Sequence, residues 1–381
     1  MKGHESMKKL IPLLLALCLL APMAALGQTS EMEALLALPG KQHQLHDLGS
    51  LTVEKVVQLT GEDSPNKTLS RFGVWGTDLG SIARLDGRYY MFGGDTFASE
   101  GDFSAGWRSN TLAVIGSAAC ATPPAFSSMI TDGTPDWAEE VLSSLKRNGE
   151  EMTVIPTGGF QVGDVLYMTF MSVRSWGGPG EWWCNYGGLA RSTDQGRTWQ
   201  KLDGVRWPGD AGFVQNAALK VGDFVYFWGI PAGRFGDVSL MRVPQERVEE
   251  YAAYEYFQGR EPSGEPRYAT GESALRSAAV LIPGPVGELS VVYNEYVEAY
   301  LLSYYCEGLY SCLLHASLEP EGPFDAPFDM TAGSGLFMIY GPFMHGDFVA
   351  DGGRRIGFSL SQWLPTYNVR WLELELIRRE D

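Results

Sequence analysis

The sequence has few cysteines and histidines, no excess of positive charge and a single long hydrophobic run. Its 29 lysines and arginines face 46 aspartates and glutamates, which gives a formal net charge of −17. A nucleic acid or an anionic membrane would need a basic binding face, so neither is expected as a partner. The five cysteines and five histidines show no spacing typical of zinc ligands. We therefore expect no metal and no cofactor, and no oligomeric state is predicted.

The hydrophobic run lies at the N terminus and has the order of a secretory signal peptide. Two lysines precede LIPLLLALCLLAPMAALG, and the run ends in the small-residue pattern Ala25-Leu26-Gly27. This order predicts a signal peptide over residues 1–27, cleavage before Gln28, and a secreted or periplasmic protein. A proline interrupts the run and no stop-transfer pattern follows it, so a stable membrane span is not expected. Cleavage would make the net charge more negative by two, since this segment holds three lysines and one glutamate.

The mature chain would keep four cysteines, which are Cys120, Cys184, Cys306 and Cys312. An even number of cysteines in an exported chain permits two disulfides. The short spacing of Cys306 and Cys312 would allow this pair to close a small loop.

Helical periodicity is scarce in the mature chain. The two best helix candidates are Glu31–Leu38, which a Pro-Gly pair stops, and Asp136–Lys146, which follows a proline. A further helical turn is predicted at Pro244–Tyr251. The remaining sequence alternates short aromatic and β-branched runs with Gly, Asp and Pro turns, which predicts an all-β fold.

A repeated unit runs through this β-rich sequence. Four segments consist of an apolar strand, a glycine turn and a second apolar strand: RLDGRYYMFGGD, FQVGDVLYMTFMS, LKVGDFVYFWGIP and VADGGRRIGFSLS. Their spacing leaves room for one more unit near residue 287, where VGELSVVYNEYVEAYLLSYY lies. Five units predict a five-bladed β-propeller over residues 70–381 with an N-terminal lead-in at 28–69, and two sandwiched sheets are the alternative.

The segment STDQGRTW, residues 192–199, matches the Asp-box hairpin S-x-D-x-G-x-x-W of propeller blades. Asp194 is expected to accept hydrogen bonds from turn amides, Gly196 to adopt a positive φ, and Trp199 to pack under the loop. The motif indicates a blade rather than a chemistry, so we interpret Asp194 as structural.

One hairpin of the repeat carries two aspartates. The Asp86-Gly87 pair between alternating runs predicts a type I′ turn, and in that register Asp78 faces Asp95. Opposed side chains have Cβ atoms about 4.5–5.5 Å apart, so one carboxyl should raise the pKa of the other. Two carboxyls with separated pKa values are what glycoside hydrolysis requires. The alternatives are that each aspartate caps a turn, or that a bulge at Gly93-Gly94 moves Asp95 off the pair.

Several motifs in order resemble the bacterial domain-of-unknown-function family 4185, over residues 70–376. The matching motifs are WGTDLG, DGRYYMFGGDTF, WRSNTLA, WGGPGEWWCNYGGLARSTDQGRTW, GIPAGRFGDVSLMRV, GELSVVYN, YGPFMH and SQWLPTYNVRWLEL. The resemblance implies a five-bladed propeller related in shape to arabinanase- and invertase-like glycosidases. Some members of the family act as endo-D-arabinanases, and their catalytic aspartates map onto Asp78 in GTDLG and Asp95 in GGDTF.

Further residues are candidates for the site. Glu288 is an alternative proton donor, because related propeller glycosidases place an acid in the fourth unit, and the alternative is a solvated strand-end carboxylate. Arg108 and Asn110 are candidates for binding sugar hydroxyls, with an ion pair between blades as the alternative for Arg108. Trp176 and Trp183 flank a glycine-rich loop and would suit sugar stacking, whereas packing between blades is the usual role of such rings.

Four more positions belong to the family motifs and are included as substrate-binding candidates without an assigned role. They are Arg234, Tyr340, His345 and Asn368. Of these, His345 is more typical of a structural histidine than of a base.

The sequence thus predicts an exported glycoside hydrolase that cleaves a furanose-containing polysaccharide or oligosaccharide, with an endo-D-arabinanase as the specific expectation. The main alternative is a non-catalytic glycan-binding propeller of the cell envelope. A sialidase-like enzyme is suggested by the Asp-box alone, and the arginine triad that such an enzyme needs is not located in the sequence.

Overall fold

The computed structural model describes residues 48–100, 106–116, 123–134 and 136–379. The predicted signal peptide, the predicted helix Glu31–Leu38 and Cys120 lie outside these residues. Within the described ranges, no helix is long and apolar enough to cross a membrane. Their helical elements are α1 (Thr68–Phe72), α2 (Glu272–Arg276) and the 3₁₀ turns Gln245–Arg247, Tyr251–Ala253 and Asp351–Gly353. The first of these 3₁₀ turns confirms the helical turn predicted at Pro244–Tyr251.

The strands form five antiparallel sheets, and the first strand, β1 (Leu48–Gln58), belongs to the last sheet. The first blade is β2 (Gly76–Leu85), β3 (Arg88–Phe97), β4 (Thr111–Ile115) and β5 (Phe126–Met129). The second blade is β6 (Thr153–Val162), β7 (Val165–Trp176), β8 (Trp182–Ser192) and β9 (Gln200–Pro208).

The third blade is larger, because β15 adds to it by pairing with β12. It contains β10 (Gln215–Val221), β11 (Phe224–Ile230), β12 (Gly236–Pro244), β13 (Glu255–Arg260), β14 (Pro266–Thr270) and β15 (Val280–Val286). The fourth blade is β16 (Leu289–Asn294), β17 (Ala299–Cys306), β18 (Ser311–Ser317) and β19 (Phe328–Asp329). The fifth blade is β20 (Ile339–Ala350), β21 (Arg355–Gln362), β22 (Asn368–Arg378) and the N-terminal β1.

The five sheets are arranged as a closed ring. Each sheet begins with an inner strand, and the inner strands β2, β6, β10, β16 and β20 contact one another in that order, with β20 also against β2. The fold is therefore a five-bladed β-propeller, which confirms the prediction and excludes two sandwiched sheets. Clusters of buried side chains fill the spaces between neighbouring blades, and they include the fully buried Trp207, Trp228 and Trp371.

The ring is closed by the two ends of the chain. Strand β1 pairs with β22, so residues predicted as a lead-in supply the outer strand of the fifth blade. The described propeller therefore begins at Leu48 rather than at residue 70. Next to this pairing, the Thr60 hydroxyl donates to Asn368 Oδ1 at 2.8 Å and accepts from the Val369 amide at 3.0 Å. These partners lie about 300 residues apart in sequence, which no local pattern can reveal.

Residues Asp136–Lys146 are not helical, so the helix predicted there is wrong. The Ala138 amide donates to the Phe72 carbonyl at 2.9 Å, and the Leu142 amide donates to Asn110 Oδ1 at 2.8 Å. These partners in the first blade take the place of the hydrogen bonds along a helix. Tertiary contacts have thus overridden the local periodicity.

The disulfide considered between Cys306 and Cys312 is absent, and both thiols are free and buried. In the pairing of β17 with β18, Cys306 is opposite Ser311 while Cys312 is opposite Tyr305. The two cysteines therefore point to opposite faces of the sheet, because successive residues of a strand alternate sides. Cys306 packs toward the third blade and Cys312 toward the fifth. Cys184 is also free and buried.

Removal of residues 1–58 should destabilise the propeller strongly, because it deletes β1 and exposes the edge of β22. Compared with removal of residues 1–47 alone, we expect the thermal midpoint to fall by at least about 5 °C. Thermal unfolding followed by circular dichroism on the two truncated proteins measures this difference. Equal midpoints would show that β1 does not close the ring.

Candidate active site

The starts of the inner strands meet on one side of the propeller, which we call the upper rim. Tyr340 at the start of β20 contacts Asp78 near the start of β2. Thr153 at the start of β6 contacts Asp95 of the first blade. The hairpin turns between first and second strands, such as Asp86-Gly87, lie on the opposite side, the lower rim.

The loops that join second and third strands also reach the upper rim, and each blade contributes one. Their residues at the rim are Trp107, Gly180, Arg234, Glu307 and Tyr367. Beneath the rim the channel is nearly filled, since its remaining cavity is only about 10 Å³ and its lining includes Leu79, Ile155 and Phe343. A ligand would therefore meet the site from the upper rim.

The register of the first hairpin explains how its two aspartates are placed. Residues 81–85 pair with 88–92 as predicted, around an Asp86-Gly87 turn in which both residues have positive φ (50° and 75°). Nearer the rim, Thr77 pairs with Thr96 but Leu79 pairs with Gly93. This shift places Asp78 against both Gly94 and Asp95, so the direct one-to-one opposition predicted for the aspartates is replaced by a β-bulge.

Glycine is required at two positions of this bulge. A Cβ on Gly94 would lie 2.3 Å from Asp78 Oδ1, so only glycine lets the carboxyl lie against β3. Gly80 has a φ of 105°, which side-chain-bearing residues rarely adopt. The bulge therefore fixes how the Asp78 carboxyl sits beside β3.

Asp78 is a partly buried carboxyl at the junction of the first and fifth blades. The Tyr340 hydroxyl donates to Asp78 Oδ2 at 2.8 Å, while Oδ1 is buried without a hydrogen-bond partner among the described residues. Burial, and next the charge of Asp95, raise the pKa of Asp78 to about 7, although hydrogen bonds from Tyr367 and Tyr340 oppose the rise. Near neutral pH this carboxyl therefore retains a proton about half of the time.

Asp95 has a different set of partners. Its Oδ1 accepts hydrogen bonds from Trp107 Nε1 and from the Thr153 hydroxyl, both at 2.8 Å. Burial raises the pKa of Asp95 to about 6, and these two hydrogen bonds and the charge of Lys146 oppose the rise. Lys146 also lies over the Trp107 ring, 4.3 Å from its centroid, so it supports the indole that binds Asp95. Asp95 is thus ionised at pH values where Asp78 is still protonated.

A second charged cluster adjoins this pair. Arg234 binds both carboxylate oxygens of Glu288 at 2.9–3.1 Å and reaches Glu307 at 3.4 Å. Its guanidinium lies 4.6 Å from the centroid of the Tyr340 ring, whose hydroxyl binds Asp78. Both oxygens of Glu288 accept hydrogen bonds from Arg234, so this carboxylate is part of an ion pair within the rim.

Several predicted site residues make contacts within the protein instead. The buried Arg108 donates to the carbonyls of Ala138 and Gly73 at 3.1 and 2.7 Å. The buried Asn110 donates to the carbonyls of Leu142 and Val154. These side chains fasten the first blade to the segments beside it, so we do not include them in the proposed site.

Three other predicted residues also lie away from the carboxyl pair. Asn368 accepts from Thr60 at the ring closure. His345 packs against Tyr89 near the lower rim, with ring centroids 5.5 Å apart, and burial lowers its pKa to about 4. Trp176 packs edge-on against Trp182, with centroids 5.8 Å apart. Trp183, in contrast, is 50% exposed on the upper rim.

The site also contains residues that sequence reasoning missed. Trp107 and Tyr367 lie within the motifs WRSNTLA and SQWLPTYNVRWLEL, which gave a signal for them without a role. Thr153 and Lys146 belong to the next blade and its connecting segment, and no motif points to them. Among the described residues, no group of three or more His, Cys, Asp or Glu side chains is placed to hold a metal ion.

Solved structures share the fold at low sequence identity. A "putative hydrolase" from Bacteroides ovatus ATCC 8483 aligns with a TM-score of 0.55 at 12% identity, covering 81% of this chain and 88% of that one. An exo-beta-1,3-galactanase from Phanerochaete chrysosporium, solved with beta-1,3-galactotriose, aligns with a TM-score of 0.50 at 12% identity, covering 85% and 64%. At this identity the likeness shows the fold alone, and the fold is one that glycoside hydrolases use.

In sequence, no curated protein matches the chain. Residues 63–373 match the family model of the domain of unknown function DUF4185, which confirms the resemblance seen in the motifs. Because that match covers most of the chain, the protein belongs to the DUF4185 family.

Proposed function

We propose that this protein is an exported glycoside hydrolase that cleaves a furanose-containing polysaccharide, with endo-D-arabinanase activity as the specific case. The observation that carries the proposal is the pair Asp78 and Asp95, two carboxyls on one bulged hairpin whose pKa values are raised to about 7 and about 6. Glycoside hydrolysis requires one protonated and one ionised carboxyl, and separated pKa values provide both near neutral pH.

The environments of the two carboxyls support a different role for each. Asp78, with the higher pKa, is the general acid that protonates the leaving glycosidic oxygen. Asp95, held by Trp107 and Thr153, is the carboxylate that acts on the anomeric carbon, either by activating water or by direct attack. Tyr340 is a positioning residue, because its hydroxyl binds the Asp78 oxygen that does not face Gly94.

The substrate class is supported by charge and by analogy. A net charge of −17 disfavours a polyanionic substrate and is compatible with a neutral polysaccharide. A structural neighbour with the same fold is an exo-beta-1,3-galactanase solved with a galactotriose. Activity on arabinan is what the family resemblance implies for some members.

The first prediction concerns activity. Wild-type protein should release oligosaccharides from arabinan in a panel of plant and bacterial polysaccharides, measured by chromatography of the products. Asp78→Asn and Asp95→Asn should each lose activity roughly 10²- to 10⁴-fold, because each removes one half of the acid–base pair. Asp194→Asn, in a turn of the second blade, should keep wild-type activity.

The outcomes of this experiment separate the alternatives. Equal activity in wild type and Asp78→Asn would contradict the site assignment. Binding of a glycan without any release of products would instead favour the non-catalytic glycan-binding propeller.

The second prediction concerns pH. Activity requires Asp95 ionised and Asp78 protonated, so the rate should fall below about pH 6 and again above about pH 7. In wild type the Trp107 hydrogen bond lowers the pKa of Asp95, so Trp107→Phe should raise that pKa and move the acidic limb to higher pH. The Tyr340 hydrogen bond likewise lowers the pKa of Asp78, so Tyr340→Phe should move the alkaline limb to higher pH. A rate that is flat from pH 5 to 8 would exclude these roles.

The third prediction concerns stability. The pKa of Asp78 is about 7 in the folded protein and 3.8 ordinarily. As the pH rises through this interval, Asp78 loses its proton in the unfolded chain before it does in the folded protein. The free energy of unfolding therefore decreases as the pH rises. At about 1.4 kcal/mol per pKa unit, the penalty at pH 7 is up to about 4 kcal/mol. Asp78→Asn cannot ionise, so it should raise the thermal midpoint by at least about 2 °C at pH 7 and by nothing below about pH 4.

The control variant should behave in the opposite way. Burial raises the pKa of Asp194, but hydrogen bonds from Thr198 and Ser192 outweigh it and hold the pKa below its ordinary value. The ionised carboxylate therefore stabilises the fold, and Asp194→Asn should lower the midpoint at pH 7. If both variants lower the midpoint at pH 7, the Asp78 carboxyl is not destabilising.

A further inference from the structure

A large cleft opens on the upper rim between the second and third blades. Its volume is about 670 Å³, and its lining includes Trp182, Trp183, Phe235, Arg174 and Asp210. The pair Asp78 and Asp95 does not line it. The cleft thus has room for a ligand of several rings beside, rather than on, the carboxyl pair.

Two aromatic rings stand exposed at this cleft. Trp183 is 50% exposed and Phe235 is 53% exposed, although most large hydrophobic side chains of the described fold are buried. Both rings rest on the same glycine-rich loop: a Cβ on Gly177 would lie 2.9 Å from the Trp183 ring, and one on Gly180 would lie 3.1 Å from the Phe235 ring. The loop therefore holds both rings in place while it leaves about half of each side chain accessible. Exposed, supported rings at a cleft are typical of a surface that stacks on a ligand.

The charges of the cleft favour an uncharged ligand with hydroxyl groups. Asp210 is bound by Arg276 at 2.9 Å, and a second acid, Glu181, also lines the cleft. The Arg174 side chain is exposed, and its guanidinium makes no hydrogen bond or salt bridge within the described part of the chain. Arg276 neutralises Asp210, and the remaining acid, Glu181, balances the charge of Arg174. The cleft therefore has no excess positive charge to attract a polyanion, and the net charge of −17 disfavours one. The free guanidinium of Arg174 and the acid oxygens can instead bind neutral hydroxyls.

A chain of side-chain contacts links the cleft to the carboxyl pair. Trp182 lines the cleft, and the Arg234 guanidinium lies 5.6 Å from the centroid of its ring. Arg234 lies 4.6 Å from the centroid of Tyr340, and the Tyr340 hydroxyl is 2.8 Å from Asp78. Three side chains, Trp182, Arg234 and Tyr340, therefore separate the cleft from Asp78, so a sugar held in the cleft is not the sugar that is cleaved.

We propose that this cleft binds an uncharged stretch of the polysaccharide several sugar units away from the bond that is cleaved, with its rings stacked on Trp183 and Phe235. The inference rests on the proposed function for the cleavage itself and adds the requirement for a long substrate. It predicts that the protein acts within a polymer rather than on its terminal units.

Affinity electrophoresis through gels that contain a linear arabinan tests the proposal, because retardation measures binding without cleavage. The proteins compared are wild type, Asp78→Asn, and Asp78→Asn combined with Trp183→Ala and Phe235→Ala. Removing both rings should weaken arabinan binding roughly tenfold or more. A gel with polygalacturonate, a charged polymer, should retard none of these proteins.

Matched variants control for folding and for position. Trp183→Phe keeps a ring and should retain most of the binding. Tyr293→Ala removes a ring that is 42% exposed on β16, outside the cleft, and should bind like its parent. The melting temperature of each variant, measured by scanning fluorimetry, should stay within about 2 °C of its parent, since half-exposed side chains contribute little to stability.

The outcomes distinguish this inference from the proposed function. If wild type degrades arabinan, and the protein that keeps Asp78 but carries Trp183→Ala and Phe235→Ala does so with an unchanged KM, the cleft assignment is wrong while the hydrolase stands. If arabinan retards the protein through Trp183 and Phe235 but is never cleaved, the cleft stands and the hydrolase is wrong. Retardation by polygalacturonate alone, or by neither polymer, overturns the inference.

Discussion

The pairing of β1 with β22 closes the ring, and the arrangement of the upper rim depends on that closure. Closure holds the fifth blade against the first, which brings Tyr340 within 2.8 Å of Asp78. On the other side of the first blade, the second blade supplies Thr153 to Asp95. Each carboxyl thus accepts a hydrogen bond from a blade other than its own.

Burying two carboxyls side by side is unfavourable, and the structure limits that cost locally. Hydrogen bonds from Tyr367 and Tyr340 oppose the rise in the pKa of Asp78, and those from Trp107 and Thr153 do the same for Asp95. Arg234 binds two further acids of this rim, Glu288 and Glu307. The charge of Glu288 is still among the causes that raise the pKa of Asp78, after burial and the charge of Asp95.

The sequence predicts those parts of the fold that depend on interactions between near neighbours in the chain. The alternating runs around Asp86-Gly87 specify a hairpin, its turn and most of its register, because side-chain alternation and positive φ values act between near neighbours. The repeat of such hairpins specifies the propeller. The helix at Asp136–Lys146 was wrong because its amides bind side chains and carbonyls of another segment. For the same reason the sequence does not reveal the partners of Arg108, which are backbone carbonyls about 30 residues away.

At the bulge beside Gly94, the regular pairing of the hairpin is interrupted and the candidate site begins. A regular hairpin would set Asp78 and Asp95 directly opposite each other in one environment, and two such carboxyls would differ only through their mutual repulsion. The extra residue instead lays the Asp78 carboxyl against the Gly94 backbone and toward the fifth blade, while Asp95 is bonded to Trp107 and to the second blade. A Cβ at residue 94 would lie 2.3 Å from Asp78 Oδ1, too close for the carboxyl to keep its position. Gly94 thus does more than permit a turn of the backbone, because it lets two neighbouring aspartates reach different partners and so acquire different acidities.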